Sequence, residues 1–253
     1  MEIDEIRKEI DSADAELMRL FARRMEISER IGRWKRANAK PAFDPEREAE
    51  VAATRIALIP EKYRENGEAF IRLLMEESKR VQRRGMDLYL IGMPDSGKTR
   101  MGRRLAETMK MPLVDTDKLI MERTGMSIDA IFATIGEERF RSFERQALRS
   151  AAERGGLVVA TGGGMPMDPE NAELMRHSGF CVFLDRDIER LVGQSTVNRP
   201  LLAASTKEES EMKLRTLYSE RREKYLALAD MTVDPDSDGA AERVIYAFEN
   251  AVK

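Results

Sequence analysis

The chain has 253 residues, 35% of them charged, but its 43 lysine and arginine residues face 46 aspartate and glutamate residues, for a formal net charge of −3. This balance argues against nucleic acid or an anionic membrane as the main partner. A single histidine and a single cysteine leave almost no room for a zinc site or a Ser–His triad, and none for an internal disulfide. The start of the chain is too charged for a signal peptide and no apolar run is long enough to cross a bilayer, so we expect a cytoplasmic protein.

An apolar pattern typical of one long helix runs through the start of the chain. Apolar residues recur alternately at every third and fourth position from Ile3 to Trp34, and no proline interrupts them before Pro41. The pattern predicts a helix of about 35 residues, about 50 Å long. Two shorter helices cannot cover so long a stripe, so we expect a partner chain.

Basic side chains interrupt this stripe. Arg24 occupies a stripe position, and Lys35 points within about 20° of the same direction. A cation that faces the interior is costly unless it is paired, which suggests an anionic ligand. The alternative is that both residues are solvated cations among the many arginines of this helix.

Polar residues also stand on the expected inner faces of two further helices. Asp44 and Pro45 have the residue types that begin a helix, and Glu48 lies on the same face as Asp44, although capping alone accounts for Asp44. A third helix over residues 69–82 has Ser78 and Gln82 where apolar side chains are expected. We therefore expect a wet, cationic pocket between the helices.

With these positions, residues 3–84 resemble the all-helical class of chorismate mutases. The resemblance implies an intertwined homodimer that converts chorismate to prephenate without a cofactor. It implies that Arg7 of the partner subunit and Arg24 hold the two carboxylates of the substrate. Lys35 and Gln82 would donate hydrogen bonds to the breaking ether oxygen, and Glu48 would hold the ring hydroxyl. The chorismate-binding positions that carry over are Arg7, Arg24, Lys35, Asp44, Arg47, Glu48, Ser78 and Gln82.

A phosphate-binding loop follows the helical segment. The stretch from Gly92 to Thr99 fits the pattern G-x-x-x-x-G-K-[ST] and comes directly after an apolar run at residues 88–91. Such a loop aims backbone N–H groups at a phosphate, while Lys98 reaches the outer phosphates and the Thr99 hydroxyl is placed to ligate Mg²⁺. The expected ATP-binding residues of the loop are Pro94, Asp95, Ser96, Gly97, Lys98 and Thr99.

The rest of the chain alternates short apolar runs with helical patterns, which indicates a five-stranded parallel sheet covered by helices on both faces. The sequence thus predicts an all-α domain of three helices over residues 1–85, followed by an α/β P-loop kinase domain over residues 86–253. Gly85 marks the expected boundary. The predicted strands are residues 88–91, 113–115, 157–161, 182–185 and 231–234.

Chemically useful residues follow these predicted strands. Asp115 and Asp117 end the second strand, where one could hold Mg²⁺ through water while the other activates a hydroxyl acceptor. An N-cap for a helix from Lys118 would explain at most one of the pair. Glycines 162–164 end the third strand and either allow close approach to a ligand or form a structural turn.

Together with the P-loop, these motifs make residues 86–250 resemble the shikimate kinases, which phosphorylate the 3-hydroxyl of shikimate. The resemblance implies that Asp117 holds and activates this hydroxyl. It implies that Arg141 and Arg221 clamp the shikimate carboxylate, and that Gly163 supplies a backbone contact.

The same resemblance assigns the nucleotide side of the site, with ATP as the co-substrate. Lys98 and Arg199 would neutralise the transferring phosphoryl group, and Arg199 would lie on a mobile lid over residues 193–207. Thr99 and Asp115 are the expected residues for Mg²⁺.

Three positions depart from the pattern of the shikimate kinases, and all three are expected near ATP. Asp95 stands where glycine is usual, and Val192 replaces an arginine that commonly stacks on adenine. Asp238 falls about where a further nucleotide-contacting arginine is often found. We therefore expect these changes to affect the affinity for ATP rather than the acceptor site.

The sequence thus predicts a bifunctional enzyme of aromatic biosynthesis, a chorismate mutase joined to an ATP-dependent shikimate kinase. One alternative is a kinase whose helical segment serves only dimerisation, and it predicts no mutase activity. Another keeps the kinase but changes the acceptor to a small polyol such as gluconate.

Overall fold

The computed structural model describes residues 3–41, 45–83, 85–194 and 207–252. Asp44 and Arg199, with most of the predicted lid, lie outside the described residues. Three helices come first: α1 (Ile3–Ala37), α2 (Pro45–Ile56) and α3 (Arg64–Arg83). The long helix is confirmed, since α1 has 35 residues. The third helix begins earlier than predicted, because a 3₁₀ turn at Glu61–Tyr63 leads directly into it.

The helices α1 and α3 run side by side in the same direction. Arg24 meets Ser78 in the second half of both helices, and Gly32 meets Gln82 near their ends. A Cβ atom on Gly32 would lie 2.7 Å from the Gln82 carbonyl oxygen, so this approach requires glycine. The contact places the carboxyl ends of the two helices together, which positions Lys35 and Gln82 in one region.

The apolar stripe predicted on α1 is open to solvent over most of its length. The face that α1 turns toward α3 is instead small or polar, with Ser28, Gly32 and Arg36 buried. An apolar surface of this extent in a single chain is typical of an interaction site. Side chains of the stripe that are 42–61% exposed are Ile3, Ile10, Leu17, Leu20, Ile27, Ile31 and Trp34.

A five-stranded parallel sheet forms the core of the second domain, as predicted, in the order β2-β3-β1-β4-β5. The fourth strand starts three residues before its predicted beginning, because Gly179 pairs with Asp87 and extends the ladder. All five strands run parallel, so their carboxyl ends meet at one edge. The strands are β1 (Asp87–Ile91), β2 (Leu113–Asp115), β3 (Val158–Ala160), β4 (Gly179–Leu184) and β5 (Met231–Val233).

Helices cover both faces of this sheet. Tyr89 and Ile91 of β1 pack into one core with Leu148 and Leu174, while Leu88 and Leu90 pack into the other. No described helix is both long and apolar enough to cross a membrane. The helices are α4 (Lys98–Met109), α5 (Thr116–Thr124), α6 (Ile128–Thr134), α7 (Glu137–Arg154), α8 (Pro169–Ser178), α9 (Ile188–Gln194), α10 (Lys207–Leu228) and α11 (Ala240–Val252).

The two domains meet in a packed junction beside Gly85. The end of α1 contacts α7 and α8, and Arg36 is only 6% exposed there. Arg36 Nη1 donates to the Gln82 carbonyl oxygen at 2.9 Å. Asp87, at the start of β1, is fully buried, and burial raises its pKa to about 7 even though Arg36 and two hydrogen bonds lower it. The junction therefore links the ends of α1 and α3 to the central strand.

Candidate active sites

The loop after β1 lines a cavity at the carboxyl edge of the sheet, here called the phosphate cavity. It has a volume of about 400 Å³, and α4 begins beside it at Lys98. Lys98 Nζ donates to the carbonyl oxygens of Gly92 at 3.0 Å and Met93 at 2.6 Å, so its ammonium group lies over the loop. The helix N-terminus and this ammonium group together favour an anion. The predicted loop residues that line the cavity are Pro94, Asp95, Gly97, Lys98 and Thr99.

Oxygen atoms that could ligate Mg²⁺ lie beside this cavity. The Thr99 hydroxyl donates to Asp115 Oδ2 at 2.7 Å, and both residues line the phosphate cavity. Asp115 Oδ1 accepts from the backbone of Lys118 at 3.2 Å, so Asp115 is also the N-cap of α5, which begins at Thr116 rather than at Lys118. Hydroxyl and carboxylate oxygens are the ligands Mg²⁺ prefers, with phosphate oxygens completing the set. Among the described residues, no cluster of three His, Cys, Asp or Glu could hold a metal ion alone.

A second cavity, of about 260 Å³, adjoins the first. Pro94, Asp117 and Gly163 line both cavities, so a group held in the second can reach a phosphate held in the first. One wall is apolar, and the other is charged. The charged and glycine residues that line it are Asp117, Asp129, Arg141, Glu144, Gly162, Gly163, Gly164 and Arg221.

The three glycines after β3 let two functional side chains approach the backbone. A Cβ atom on Gly162 would lie 2.4 Å from Asp117 Oδ1, and one on Gly164 would lie 2.6 Å from Arg141 Nη1. The Gly163 carbonyl oxygen accepts a hydrogen bond from the Tyr225 hydroxyl at 2.6 Å, which fixes the turn. These contacts favour the interpretation of the glycines as part of a ligand site.

Arg221 is the clearest sign of an anionic ligand in this cavity. It is only 8% exposed, and its Nη1 atom is buried without a hydrogen-bond partner among the described residues. A buried guanidinium nitrogen without a partner is costly, and a carboxylate would satisfy it.

Glu144 is a residue of this cavity that the sequence reasoning missed. Its side chain is 1% exposed and receives a hydrogen bond from Arg141 Nη1 at 2.7 Å. Burial raises the pKa of Glu144 to about 7, against the opposite effect of Arg141. The signal was available, since Glu144 lies three residues after Arg141 and therefore on the same helical face. Arg141 also pairs with Glu137 at 2.9 Å.

The first domain brings Arg24 and Ser78 into direct contact. Arg24 Nη1 donates to the Ser78 hydroxyl and, at 2.9 Å, to the carbonyl oxygen of Leu74. Partial burial lowers the pKa of Arg24. A guanidinium held between two helices by neutral acceptors keeps its charge available for an anion.

The other positions expected in the mutase site lie apart from this pair. Glu48 forms an ion pair of 2.7 Å with Lys79, which the sequence reasoning did not select, and both line a cavity between α2 and α3. Arg47 faces solvent and pairs with Glu50 at 2.5 Å. Arg7 is 69% exposed and pairs with Asp4 on its own helix at 3.1 Å.

Lys35 and Gln82 line a separate cavity at the junction of the domains. The Gln82 Oε1 atom is buried there without a hydrogen-bond partner among the described residues. Within one chain the described mutase positions therefore do not share one pocket: Arg24 lies with Ser78 and Lys35 lies with Gln82, while the others lie apart from both pairs.

Comparison with known proteins identifies both segments. Residues 94–251 match the family model of shikimate kinase. The chain belongs to the shikimate kinase family. The shikimate kinase of Synechococcus sp. (strain CC9605) is 43% identical over 191 residues, which cover 72% of this chain and 93% of that protein. That of Stenotrophomonas maltophilia (strain K279a) is 41% identical over 164 residues, with 63% and 88% covered.

Solved structures of shikimate kinases are similar to this chain. A shikimate kinase from Acinetobacter baumannii in complex with shikimate has a TM-score of 0.60 and 32% identity, covering 66% of this chain and 93% of that one. Shikimate kinase from Aquifex aeolicus has a TM-score of 0.56 and 30% identity, covering 66% and 98%. Residues 6–83 match the family model of chorismate mutase type II. The chain is therefore a bifunctional enzyme of aromatic biosynthesis, with a chorismate mutase segment before its shikimate kinase domain.

The shikimate kinase domain has a second residue that the sequence reasoning missed, Arg186, which lies two residues after the end of β4. Its Nη1 atom donates to the Asp95 carbonyl oxygen at 3.0 Å, and its Nε atom donates to Asp236 at 2.8 Å. Asp236 also pairs with Arg100 at 3.0 Å and with Arg190 at 3.1 Å. A cluster of three arginines thus lies beside the P-loop of this shikimate kinase.

Proposed function

We propose that the kinase domain transfers the γ-phosphoryl group of ATP to the 3-hydroxyl of shikimate. Asp117, on the border of the two cavities, accepts the hydroxyl proton as the oxygen attacks phosphorus. Arg221 and Arg141 bind the shikimate carboxylate, and Gly163 offers a backbone contact. The buried Arg221 nitrogen without a partner is the observation that best supports a carboxylated acceptor over a neutral polyol.

Lys98 acts on the ATP side of the same reaction. Its ammonium group and the N-terminus of α4 stabilise negative charge that develops on the transferring phosphoryl group. Mg²⁺ would neutralise phosphate charge when bound, and Thr99 and Asp115 are the residues that would hold it. Arg199 is proposed from its motif alone, as a further cation over the phosphates.

The helical domain is proposed to rearrange chorismate to prephenate at sites shared by two chains. Arg7 and Arg24 are 17 positions apart on one unbroken helix, a rise of about 25 Å, so Arg7 does not reach the site of its own chain. The exposed apolar stripe of α1 supports a homodimer in which Arg7 of the partner subunit completes the site.

In this site the protein holds a conformer and stabilises charge, without a covalent step. Arg24 and Arg7 of the partner subunit bind the two carboxylates in a compact conformer, with Ser78 beside Arg24. Lys35 and Gln82 donate to the ether oxygen as the C–O bond breaks. Glu48 holds the ring hydroxyl, near Asp44, and Arg47 supports the site. A cytoplasmic location, where ATP is available, is part of this proposal.

Two substitutions test the assignment of two independent sites. We expect Lys35→Ala to abolish the mutase and leave the kinase, and Lys98→Ala to do the reverse. Both activities are measured on the purified full chain, with circular dichroism to verify folding. Loss of both activities in either folded variant contradicts the proposal, and a wild-type chain without mutase activity favours a helical domain that serves only dimerisation.

A further inference from the structure

The cavity that contains Lys35 and Gln82 has walls from both domains. Its volume is about 300 Å³. Lys35 comes from the end of α1, Gln82 from the end of α3, and Arg176 and His177 from the last turn of α8 in the kinase domain. The helix α8 leads into the amino end of β4, so this cavity lies at the edge of the sheet opposite the P-loop.

The charge of this cavity is strongly positive. Lysine and arginine side chains line it from three helices and from the turn after α1, and among the described residues that line it there is no carboxylate. Cations gathered in one concave site favour the binding of an anion between them. The basic residues that line the cavity are Lys35, Arg36, Lys40, Arg83 and Arg176.

Arg36 does not serve as the ligand-binding cation of this group. It is almost completely buried, its Nη1 atom is bound to the Gln82 carbonyl oxygen, and burial lowers its pKa. A Cβ atom on Gly155 would lie 3.0 Å from Arg36 Nη2, so the guanidinium fills the contact between the domains. Arg36 therefore fixes the wall of the cavity and holds Gln82 in place.

Arg176 has the geometry of a ligand-binding arginine. Its side chain is half-exposed, and its Nη1 atom forms one ion pair, with Glu173 at 3.0 Å. His177 binds the same carboxylate through Nε2 at 2.8 Å. An exposed ion pair of this kind contributes little to stability, so a ligand carboxylate can compete for the guanidinium at small cost.

We propose that the kinase domain forms one wall of the mutase site and that Arg176, beside Lys35 and Gln82, is a further cation for one of the two carboxylates of the mutase substrate. This inference rests on the proposed role of Lys35 and Gln82 in the mutase reaction. It explains why the amide of Gln82, buried at the domain junction, faces a cavity that only the full chain encloses. The kinase domain then contributes to chorismate affinity without contributing to phosphoryl transfer.

The proposal is tested by measuring the steady-state mutase kinetics of the full chain with the substitution Arg176→Ala. We expect the KM for chorismate to rise roughly tenfold, as for the loss of one charged hydrogen bond, while kcat changes less. Arg104→Ala is the matched control, because Arg104 also forms one exposed ion pair, with Glu242, and lies in the kinase domain away from the described cavities. Equal KM values for the two variants overturn the proposal.

Glu173→Gln should change the KM for chorismate in the opposite direction. Removing this carboxylate releases Arg176, so we expect the KM for chorismate to fall below the wild-type value. A KM that is unchanged or raised indicates a structural role for the helix end and overturns the proposal. Kinase constants for shikimate and ATP should match wild type in both variants.

Lys35→Ala distinguishes a failure of the proposed mutase site from a failure of the role of Arg176. If Lys35→Ala leaves the mutase active, the proposed mutase site is wrong. If Lys35→Ala abolishes mutase activity while Arg176→Ala has the wild-type KM for chorismate, only the role of Arg176 is refuted.

Discussion

The hydroxyl of Thr99 donates a hydrogen bond of 2.7 Å to the carboxylate of Asp115, which also caps the helix that begins with Thr116. The P-loop and the end of β2 are thereby joined at the point where Mg²⁺ is proposed to bind. Because Asp115 is held both by a helix N-terminus and by Thr99, its carboxylate is oriented before any ligand binds. Such preorganisation lowers the cost of binding a metal.

The first prediction uses this contact. Thr99→Val removes the hydroxyl and keeps the shape, so the Mg²⁺ concentration for half-maximal kinase activity should rise by at least about tenfold. Thr99→Ser keeps the hydroxyl and should stay close to wild type. The measurement is a Mg²⁺ titration of kinase activity at saturating shikimate, and mutase activity serves as the internal control. Equal titrations for the two variants would mean that Thr99 does not serve the metal.

The second prediction concerns Asp95, whose carboxylate stands in the P-loop beside the proposed β- and γ-phosphates. Asp95 has φ 62°, a conformation that asparagine and glycine adopt readily. Asp95→Asn removes the charge at constant shape, and Asp95→Gly removes the side chain. Both should tighten ATP binding several-fold, most clearly at low Mg²⁺, where phosphate charge is least neutralised.

Calorimetric titration with ATP measures this effect in both variants. Tighter binding only in Asp95→Gly would assign the effect to backbone freedom instead of charge. Unchanged or weaker binding in both would show that Asp95 points away from the phosphates or serves the metal.

Continuous apolar runs and one ordered motif made the kinase fold predictable. The run before Gly92 is a buried parallel strand, and in such strands both faces are apolar, so the pattern is unbroken. The motif then fixes the helix start at Lys98. Strand ends were less predictable, because the pairing of Gly179 with Asp87 extends a ladder through residues that have no strand signal of their own.

Contacts between distant segments could not be predicted from the sequence. Arg186 and Asp95 are 91 positions apart, and nothing local indicates that one binds the carbonyl of the other. The burial of Arg36 between two glycines depends in the same way on how the domains meet. The sequence pattern identified Lys35 and Gln82 as polar intrusions on helical faces, but only the packing of α8 shows that a kinase-domain arginine lines the same cavity.

The third prediction follows from the pKa of Asp87, raised by burial from 3.8 to about 7. Between these values the folded chain holds a proton that the unfolded chain has lost, so Asp87 lowers the free energy of unfolding as pH rises, by up to about 1.4 kcal/mol per pH unit. Asp87→Asn removes this dependence, and an asparagine amide can donate to the Tyr89 hydroxyl, which then donates to Ser178. The variant should therefore gain stability relative to wild type as pH rises from about 5 to about 7.

Urea unfolding, followed by circular dichroism across this range, measures the difference. Asp168→Asn is the control, because Arg145 and the backbone of α8 lower the pKa of Asp168. The stabilising effect of Asp168 is lost only as pH falls through that lowered pKa, so its difference from wild type should be flat between about pH 5 and about pH 7. A flat difference for Asp87→Asn as well would mean that Asp87 is ionised in the folded chain throughout.

The last prediction joins the exposed stripe of α1 to the mutase chemistry. If each site combines Arg7 of the partner subunit with Arg24, Lys35 and Gln82 of the other chain, an Arg7→Ala homodimer lacks one carboxylate contact in every site. A Lys35→Ala homodimer lacks the ether-oxygen donor in every site. When the two variants are unfolded together and refolded, about half of the dimers should be mixed if pairing is random.

In a mixed dimer, one site has both substitutions and the other has neither. Mutase activity should therefore recover to roughly a quarter of wild type, since half of the dimers regain one of their two sites. Each variant refolded alone is the control, and kinase activity, which needs neither residue, reports the yield of folded chain. Mass spectrometry of chains with different tags measures the mixed fraction. If mixed dimers form and mutase activity stays at the level of the parent variants, each chain uses its own Arg7. That result would require a bend in α1, because Arg7 and Arg24 are about 25 Å apart along a straight helix.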